Sequence, residues 1–564
     1  SAPMVESDRL VAECHRRGIT CERLMGCRDL MFEGRASTPR TQPSPLPIPD
    51  DAYELTDVTM AAAPAAPRGP AAAQSADETK AQALTEFLKR LTRLDVRLRL
   101  KDGELRVSAP KGALDAELTA SLRAFKPQIV NLLEGAPSRS ASASAPASGP
   151  SSSPDAPWRE DLKLALEIQP VRTTGKKLDQ ASHILLTGAT GFLGPYVLFE
   201  LLQQTTARIS CLVRGNSVAD AGSRLRDALR AFDLWRDEYA SRIEPIVGDL
   251  GKPLLGMPRS TFDALADRVD TIFHNGAQVH HAMPYEQLRQ VNVLGTQEVL
   301  RLAAAGEEAI PVHYVSTLSV LPAAALADRA RFFEHDLIAE YPPPAGGYNL
   351  SKWVAENLLV EARQRGAAVT VYRPGPVSGD SRSGAYNEND FLFRLMSGYV
   401  ESGLAPDGAT LIDVLPVDFV ARAIVTLARS TATSHATFHL LHPQPVSSEL
   451  LFDVCRDAGV PIRRVPYDQW FEHLKTIARD ASDHALFPLV ALFSSRRGRE
   501  MAAATPTELP FDTSAADAAL ATVELAPPAL DRELFRTYLR ALLGTFVGDT
   551  ARSDEPAADA GASR

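Results

Sequence analysis

With 564 residues the chain is longer than one hydrophobic core organises, so two or more folded units are expected. A formal charge of -10 with Lys and Arg scattered among acids offers no basic field for a phosphate backbone, which argues against a nucleic-acid partner. No apolar run is long enough to span a bilayer, and the opening stretch around Glu6, Asp8, Arg9 and Glu13 lacks a leader pattern, so a cytoplasmic protein is expected.

The five cysteines, Cys14, Cys21, Cys27, Cys211 and Cys455, suit reduced thiols, and without a C-x-x-C pair no metal site is expected. Residues 1–35 form a segment with no assignable pattern. From 36 to 80 the chain is rich in Pro, Ala and Thr and reads as a disordered linker.

Residues 81–134 are a compact island. Ala83, Leu84, Phe87, Leu88 and Leu91 recur at helical spacing. Val96, Leu98 and Leu100 alternate into a turn at Lys101-Asp102-Gly103, followed by Leu105 and Val107, which predicts a hairpin. Leu114, Leu118, Leu122, Phe125, Ile129 and Leu132 then mark a second amphipathic helix. An αββα unit of this size without His or Cys reads as a binding module rather than an enzyme. Asp95-Val96-Arg97-Leu98 through Gly103, with Ser108 to Leu114, resembles the small docking domains of nonribosomal peptide synthetase subunits. The resemblance implies a partner: the C-terminal tail of a preceding subunit, captured as an added strand on the hairpin edge. Residues 135–157, almost all Ser, Ala and Pro, read as a second linker.

The large unit, 158–548, is predicted to be α/β, a Rossmann-type doubly wound parallel sheet (about 180–376) with a smaller C-terminal substrate lobe (about 377–548). Strand His183 to Leu186 runs into Thr187-Gly188-Ala189-Thr190-Gly191-Phe192-Leu193-Gly194 and then an apolar helix. In that context three glycines serve a tight turn, close approach of backbone to a pyrophosphate, and helix–strand packing, and the helix N-terminus faces the phosphates. The next strand, Ile209 to Val213, ends at Arg214, where an NAD-binding fold usually has an acid for the ribose. A guanidinium there suits the 2′-phosphate of NADPH, with Arg224 as a second contact.

Further strands end in Gly248-Asp249-Leu250, in His274-Asn275-Gly276-Ala277 and, after Val312 to Val315, in Ser316-Thr317. Ligands bind at that edge of a parallel sheet, so Asp249 and Leu250 are expected at the adenine and Asn275, Gly276 and Ala277 along the cofactor. Asn292 opens a long helix in a supporting role. Tyr348-Asn349-Leu350-Ser351-Lys352 puts a phenol and an ammonium four apart on one helix face, where the cation can stabilise the phenolate and hold the nicotinamide ribose. Thr317 adds a hydroxyl that, with Tyr348, can bind an oxygen on which charge develops. Asp390 to Val400 and Glu449 to Ala458 read as helices, Leu411 to Val420 as a strand and helix returning to the main sheet, and 549–564 as a disordered tail.

The order of these motifs, completed by Tyr372-Arg373-Pro374-Gly375, resembles the thioester reductase domains that terminate nonribosomal peptide and polyketide assembly lines. His280 departs from the family pattern, where Asn is commoner. The resemblance implies NADPH-dependent reduction of an acyl thioester on a carrier protein to an aldehyde, in some members onward to an alcohol. It also implies Thr317, Tyr348 and Lys352 as the catalytic set and cofactor contacts that extend to Pro374 and Val377. No phosphopantetheine attachment sequence lies between the island and Trp158, so the carrier is expected to arrive on another polypeptide. Two alternatives share parts of the pattern: a nucleotide-sugar epimerase or dehydratase, and a non-catalytic NADP-binding scaffold for the island.

Overall fold

The computed structural model describes residues 55–59, most of 83–134, 156–170, 177–280, 283–322, 331–430 apart from 389, 435–480 and 510–553. The expectations for 1–35, for the linkers outside 55–59 and 156–157, and for 554–564 lie outside these residues.

The island contains three strands: β1 (Leu55–Thr59), β2 (Arg97–Lys101) and β3 (Glu104–Pro110). β2 and β3 form the expected antiparallel hairpin, with Leu98 opposite Val107 and Leu100 opposite Leu105. Alternation sends Leu98, Leu105, Val107 and Ala109 into a core shared with Leu118, Leu122 and Ile129 of the helix Ala116–Glu134. Asp115 Oδ1 accepts the Leu118 N–H at 2.6 Å and caps that helix. β1 was not expected. Composition made 36–80 a linker, yet Leu55–Thr59 pair antiparallel with the outer edge of β3. Thr56, Val58 and Thr59 are β-branched, a local strand preference that averaging over the Pro/Ala-rich stretch conceals.

The large unit is built on β4 (His183–Thr187), β5 (Arg208–Val213), β6 (Ile243–Val247), β7 (Thr271–His274), β8 (Val312–Val315) and β9 (Val369–Pro374). Short strands follow: β10 (Val377–Ser378), β11 (Leu404–Pro406), β12 (Leu411–Ile412) and β13 (Leu415–Pro416). The last three are β14 (Thr437–Leu440), β15 (Val446–Ser447) and β16 (Arg463–Val465). The main sheet runs β14-β9-β8-β7-β4-β5-β6, and every pairing in it is parallel. Every residue of β7, β8 and β9 is buried, as expected of parallel strands covered on both faces. Chain order reverses between β4 and β7. Doubly wound sheets hold ligands outside the strand ends at such a switch point.

Two glycines shape that region. Gly188 has φ +74°, and a Cβ on it would lie 2.6 Å from Gly276 Cα; a Cβ on Gly194 would lie 2.0 Å from the Gly188 carbonyl. Gly188 is therefore packed too closely on the loop after β7, and Gly194 too closely on the Gly188 turn, for a side chain at either position.

The return to the sheet differs from expectation. β12 and β13 pair with β15 and β10, and β14 is the strand that extends the main sheet beside β9. Leu411 to Val420 is too short and too broken by Pro416 to make a sheet strand, whereas the helix Val417–Ser430 does pack on the glycine-loop helix Leu193–Gln204. A separate compact unit holds 391–410 and 451–480 of the described residues. In it β11 pairs with β16, and Val465, Trp470 and Leu474 pack with Phe391, Leu395 and Tyr399. The expected substrate lobe is thus divided, with 411–450 and the segment from 510 belonging to the unit of the main sheet. The last helix, Arg532–Ser553, runs into the expected tail.

Candidate active site

The cofactor turn begins at Thr187, which is buried. Its Oγ1 accepts the Gly276 N–H at 3.0 Å and lies 2.8 Å from His274 Nδ1. On the other side of the ring His274 Nε2 is 3.1 Å from Thr296 Oγ1, and that hydroxyl donates to the Asn292 carbonyl at 2.7 Å. These partners fix one proton arrangement. Thr296 has donated its proton, so it accepts from Nε2–H, and in a neutral ring Nδ1 is then the acceptor for the Thr187 hydroxyl. The neutral imidazole this requires agrees with a His274 pKa lowered to about 3 by burial and, second, by Lys352. Asn275 Nδ2 donates to the Gly188 carbonyl at 3.3 Å, and Leu250 packs over Gly276.

Gly191 differs from its neighbours. The nearest protein atom to the place a Cβ would occupy is 3.6 Å away, so packing does not demand glycine there. Gly191 is exposed, with Thr190, Phe192 and Leu193 half-buried around it. A surface that protein packing leaves free of a Cβ fits a dinucleotide pyrophosphate. Arg214 is exposed just past β5, and Arg224 Nη1 donates to the Arg214 carbonyl at 2.7 Å, so the Arg224 guanidinium lies at that strand end. Asp249 faces its own turn, where Oδ1 accepts the Gly251 N–H at 2.9 Å. Asn292 uses its side-chain amide on Gln278 N and O (2.7 and 3.0 Å) and on Ser351 Oγ (2.9 Å), bracing the Ala277-Gln278 stretch to the Tyr348 helix rather than offering free donors. It sits in a π-turn, Gln290–Leu294, which breaks the long helix read from sequence. Pro374 ends β9, and Val377 lies half-buried in β10.

Thr317 follows β8 and is half-buried. Its Oγ1 accepts the Ser319 N–H at 3.2 Å and so caps the short turn Leu318–Val320. Tyr348 and Lys352 lie one turn apart on the helix Gly347–Gln364, which packs on that same turn. Lys352 is buried, donates to the Val315 carbonyl at 2.8 Å and stands 4.0 Å from the Tyr314 ring centroid. Burial lowers Lys352 to about 7, opposed by the Glu356 charge, and burial raises Tyr348 to about 12. The sequence reading expected the ammonium to draw the phenol downward. Instead Nζ is engaged by a carbonyl and an aromatic face, and Tyr348 is held as a protonated donor.

One group of residues had no role in the sequence reading. The Ser316 hydroxyl donates to Glu356, which also receives Arg373 Nη2 at 2.6 Å and Nε at 3.1 Å. Arg373 continues to His439 Nε2 at 3.2 Å. All four are buried. Glu356 is four positions past Lys352, a helical spacing that could have flagged it; Ser316 and His439 carry no such signal.

Such a turn at the switch point of a parallel sheet, beside a Tyr and a Lys one helical turn apart, makes this an NAD(P)-dependent reductase of the short-chain dehydrogenase architecture. An NAD-binding family described as male sterility protein matches residues 186–424, and the TubC N-terminal docking domain family matches 84–134. The terminal R domain of the myxalamid PKS-NRPS pathway is 38% identical, with a TM-score of 0.62, over 69% of this chain and 97% of that one. A nonribosomal peptide synthetase reductase domain from Mycobacterium tuberculosis is 28% identical, with a TM-score of 0.57, over 67% and 94%. A linear gramicidin synthase polypeptide of Brevibacillus parabrevis is 38% identical over 64% of this chain, and the L-2-aminoadipate reductase large subunit of Penicillium chrysogenum 34% over 58%. The chain spans only 7% and 24% of those two proteins. This chain belongs to the terminal reductase domains of nonribosomal peptide and polyketide–peptide assembly lines. Among its described residues no helix is long and apolar enough to cross a membrane.

The lowered pKa of Lys352 has a measurable sign. The folded chain binds fewer protons than the unfolded one between about pH 7 and the ordinary lysine range, so this group's penalty is full below pH 7 and fades as pH rises. The denaturant stability of the parent relative to Lys352→Met should therefore rise between pH 7 and pH 10, by on the order of a few kcal/mol at most, on top of a pH-independent loss in the variant from the unpaired Val315 carbonyl. A pH-independent difference between the two denaturation series contradicts the assignment.

Proposed function

We propose that the chain releases an acyl or peptidyl chain from a carrier protein by NADPH-dependent reduction of its thioester to an aldehyde. The reading rests above all on a buried Lys352 that grips the strand end two residues before Thr317, with a protonated Tyr348 one turn away on the same helix. The glycine turn Gly188 to Gly194 holds the pyrophosphate, Asn275 to Ala277 line the cofactor, and Arg214 with Arg224 take the 2′-phosphate. Bound NADPH supplies a hydride to the thioester carbon. Thr317 and Tyr348 hydroxyls donate to the thioester oxygen, and Tyr348 transfers its proton there as the oxygen becomes an alkoxide. With its pKa near 12, Tyr348 carries that proton throughout the neutral range. The resulting hemithioacetal re-forms a carbonyl, the carbon–sulfur bond breaks, and the hydroxyl proton leaves with the thiol of the carrier arm. Lys352 fixes the strand end through Val315 and holds the nicotinamide ribose.

The carrier arrives on a separate polypeptide whose C-terminal tail docks on residues 81–134, and the tether raises its local concentration. Family membership of 84–134 in a docking-domain group supports this partner. The working division is 81–134 for docking and 158–548 for the reductase, in the cytoplasm.

Three measurements test the reading. NADPH oxidation by the purified chain should require an acyl group on a carrier thioester, not the free acid, and Tyr348→Phe should lower it at least about 100-fold. Oxidation that proceeds equally with the free acid, or survives in the variant, removes the proposal. Arg214→Ala should raise the KM for NADPH about tenfold, the value of one charge-assisted contact, and leave that for NADH nearly unchanged. Deleting 81–134 should slow turnover of the carrier substrate and spare a small soluble thioester; equal losses on both would count against docking.

A further inference from the structure

The island already carries a third strand, on the β3 edge of its hairpin. β3 lies between β2 and β1, and the register of β1 is fixed over five residues, from Leu55 opposite Pro110 to Thr59 opposite Arg106. The matched docking-domain residues begin at 84, so β1 lies outside what the family supplies. β3 spans seven residues, and its hairpin partner β2 covers five of them from one side. Without β1, the other side would present a row of unpaired N–H and C=O groups, which is the feature that strand-adding peptides recognise. With β1 in place that row is filled.

We propose that Leu55–Thr59 is a resident strand that occupies the docking edge of β3, and that a partner's tail docks by displacing it. This inference rests on the docking reading above and adds what stands on the edge before the partner arrives. The pairing is backbone-directed and antiparallel, so it states what an incoming tail must offer: an extended segment of about five residues able to run against β3 in the same register. Only 23 residues separate Thr59 from Ala83, the first described helical residue of the island. A strand tethered over so short a distance competes at an effective concentration of about a millimolar, so only a tail of better intrinsic affinity replaces it. The device therefore sets a threshold against weak or non-cognate tails.

The test uses the full chain and the double variant Asp57→Pro/Val58→Pro. In a strand alternate residues face the neighbour, so of two adjacent prolines one removes a ladder N–H whichever phase β1 adopts. The probe is a fluorescent synthetic peptide of residues 53–61, followed by anisotropy. The double variant should bind it at least tenfold more tightly than the parent chain, whose edge is filled in cis. Equal binding by the two chains, or no binding by the variant, overturns the proposal. The substituted residues are far in sequence from the reductase site, and NADPH oxidation with a small soluble thioester should be equal in both chains, which shows that any change is not loss of fold. In the carrier assay the variant should show a KM for the tail-bearing carrier at least threefold lower. Peptide capture with an unchanged carrier KM defeats the displacement claim. A carrier KM that deletion of 81–134 also leaves unchanged defeats the docking reading itself, which keeps the two failures apart.

Discussion

Glu356 is a carboxylate buried between a helix and two strands, and removing such a charge from water costs several kcal/mol unless partners replace its solvation. Here Arg373 offers two N–H groups from β9 and Ser316 a hydroxyl from the end of β8. The carboxylate can be satisfied in one arrangement only, with the helix Gly347–Gln364 seated on both strands. One turn earlier on that helix Lys352 grips the Val315 carbonyl. Two consecutive residues, Val315 and Ser316, are therefore held from the helix, and the next residue is Thr317. Tyr348 belongs to the same helix, so the charge pair that anchors the helix also anchors the turn that carries the phenol. Such a buried pair is weak evidence for stability and better evidence for specificity of position.

His274 does for the glycine turn what Glu356 does for the helix that carries Tyr348. One neutral imidazole links Thr187 at the end of β4 to Thr296 on the helix beyond the π-turn, and Thr187 in turn holds Gly276. Asn292 ties the following loop to Ser351 on the Tyr348 helix. Both halves of the site are therefore joined by buried polar groups whose partners are fully specified, a condition under which such networks rigidify rather than destabilise. Lys352 and Tyr348 carry opposite consequences of one cause. Burial disfavours the charged form of each, which lowers the amine and raises the phenol.

The island follows a different logic. Its core is small, drawn from Phe87, Leu88 and Leu91, a hairpin and the helix Ala116–Glu134, and a hairpin alone is marginal in water. A third strand converts β3 from an edge to a centre. Under the docking proposal, the hydrogen bonds that complete the sheet occupy the partner's place, and stability of the free module opposes access to it.

The sequence by itself determined the parallel sheet, the glycine turn and the Tyr348–Lys352 pair, because each depends on local spacing: apolar runs for buried strands, glycines where Gly188 and Gly194 leave no room for a Cβ, and four residues for one helical turn. The docking island was legible for the same reason, through its alternating hairpin and its amphipathic helix. Tertiary structure alone decided the rest. That Lys352 binds a carbonyl instead of lowering its tyrosine, that Asn292 braces a loop, that Glu356 and His274 hold the site together, and that β14 rather than Leu411 to Val420 extends the sheet all follow from which segments meet. Partners 14 to 87 residues apart leave no periodic trace, since a hydrogen bond needs proximity in space and imposes no spacing along the chain. β1 is the sharpest case: five residues whose strand preference becomes a strand only because β3 has an edge to receive it.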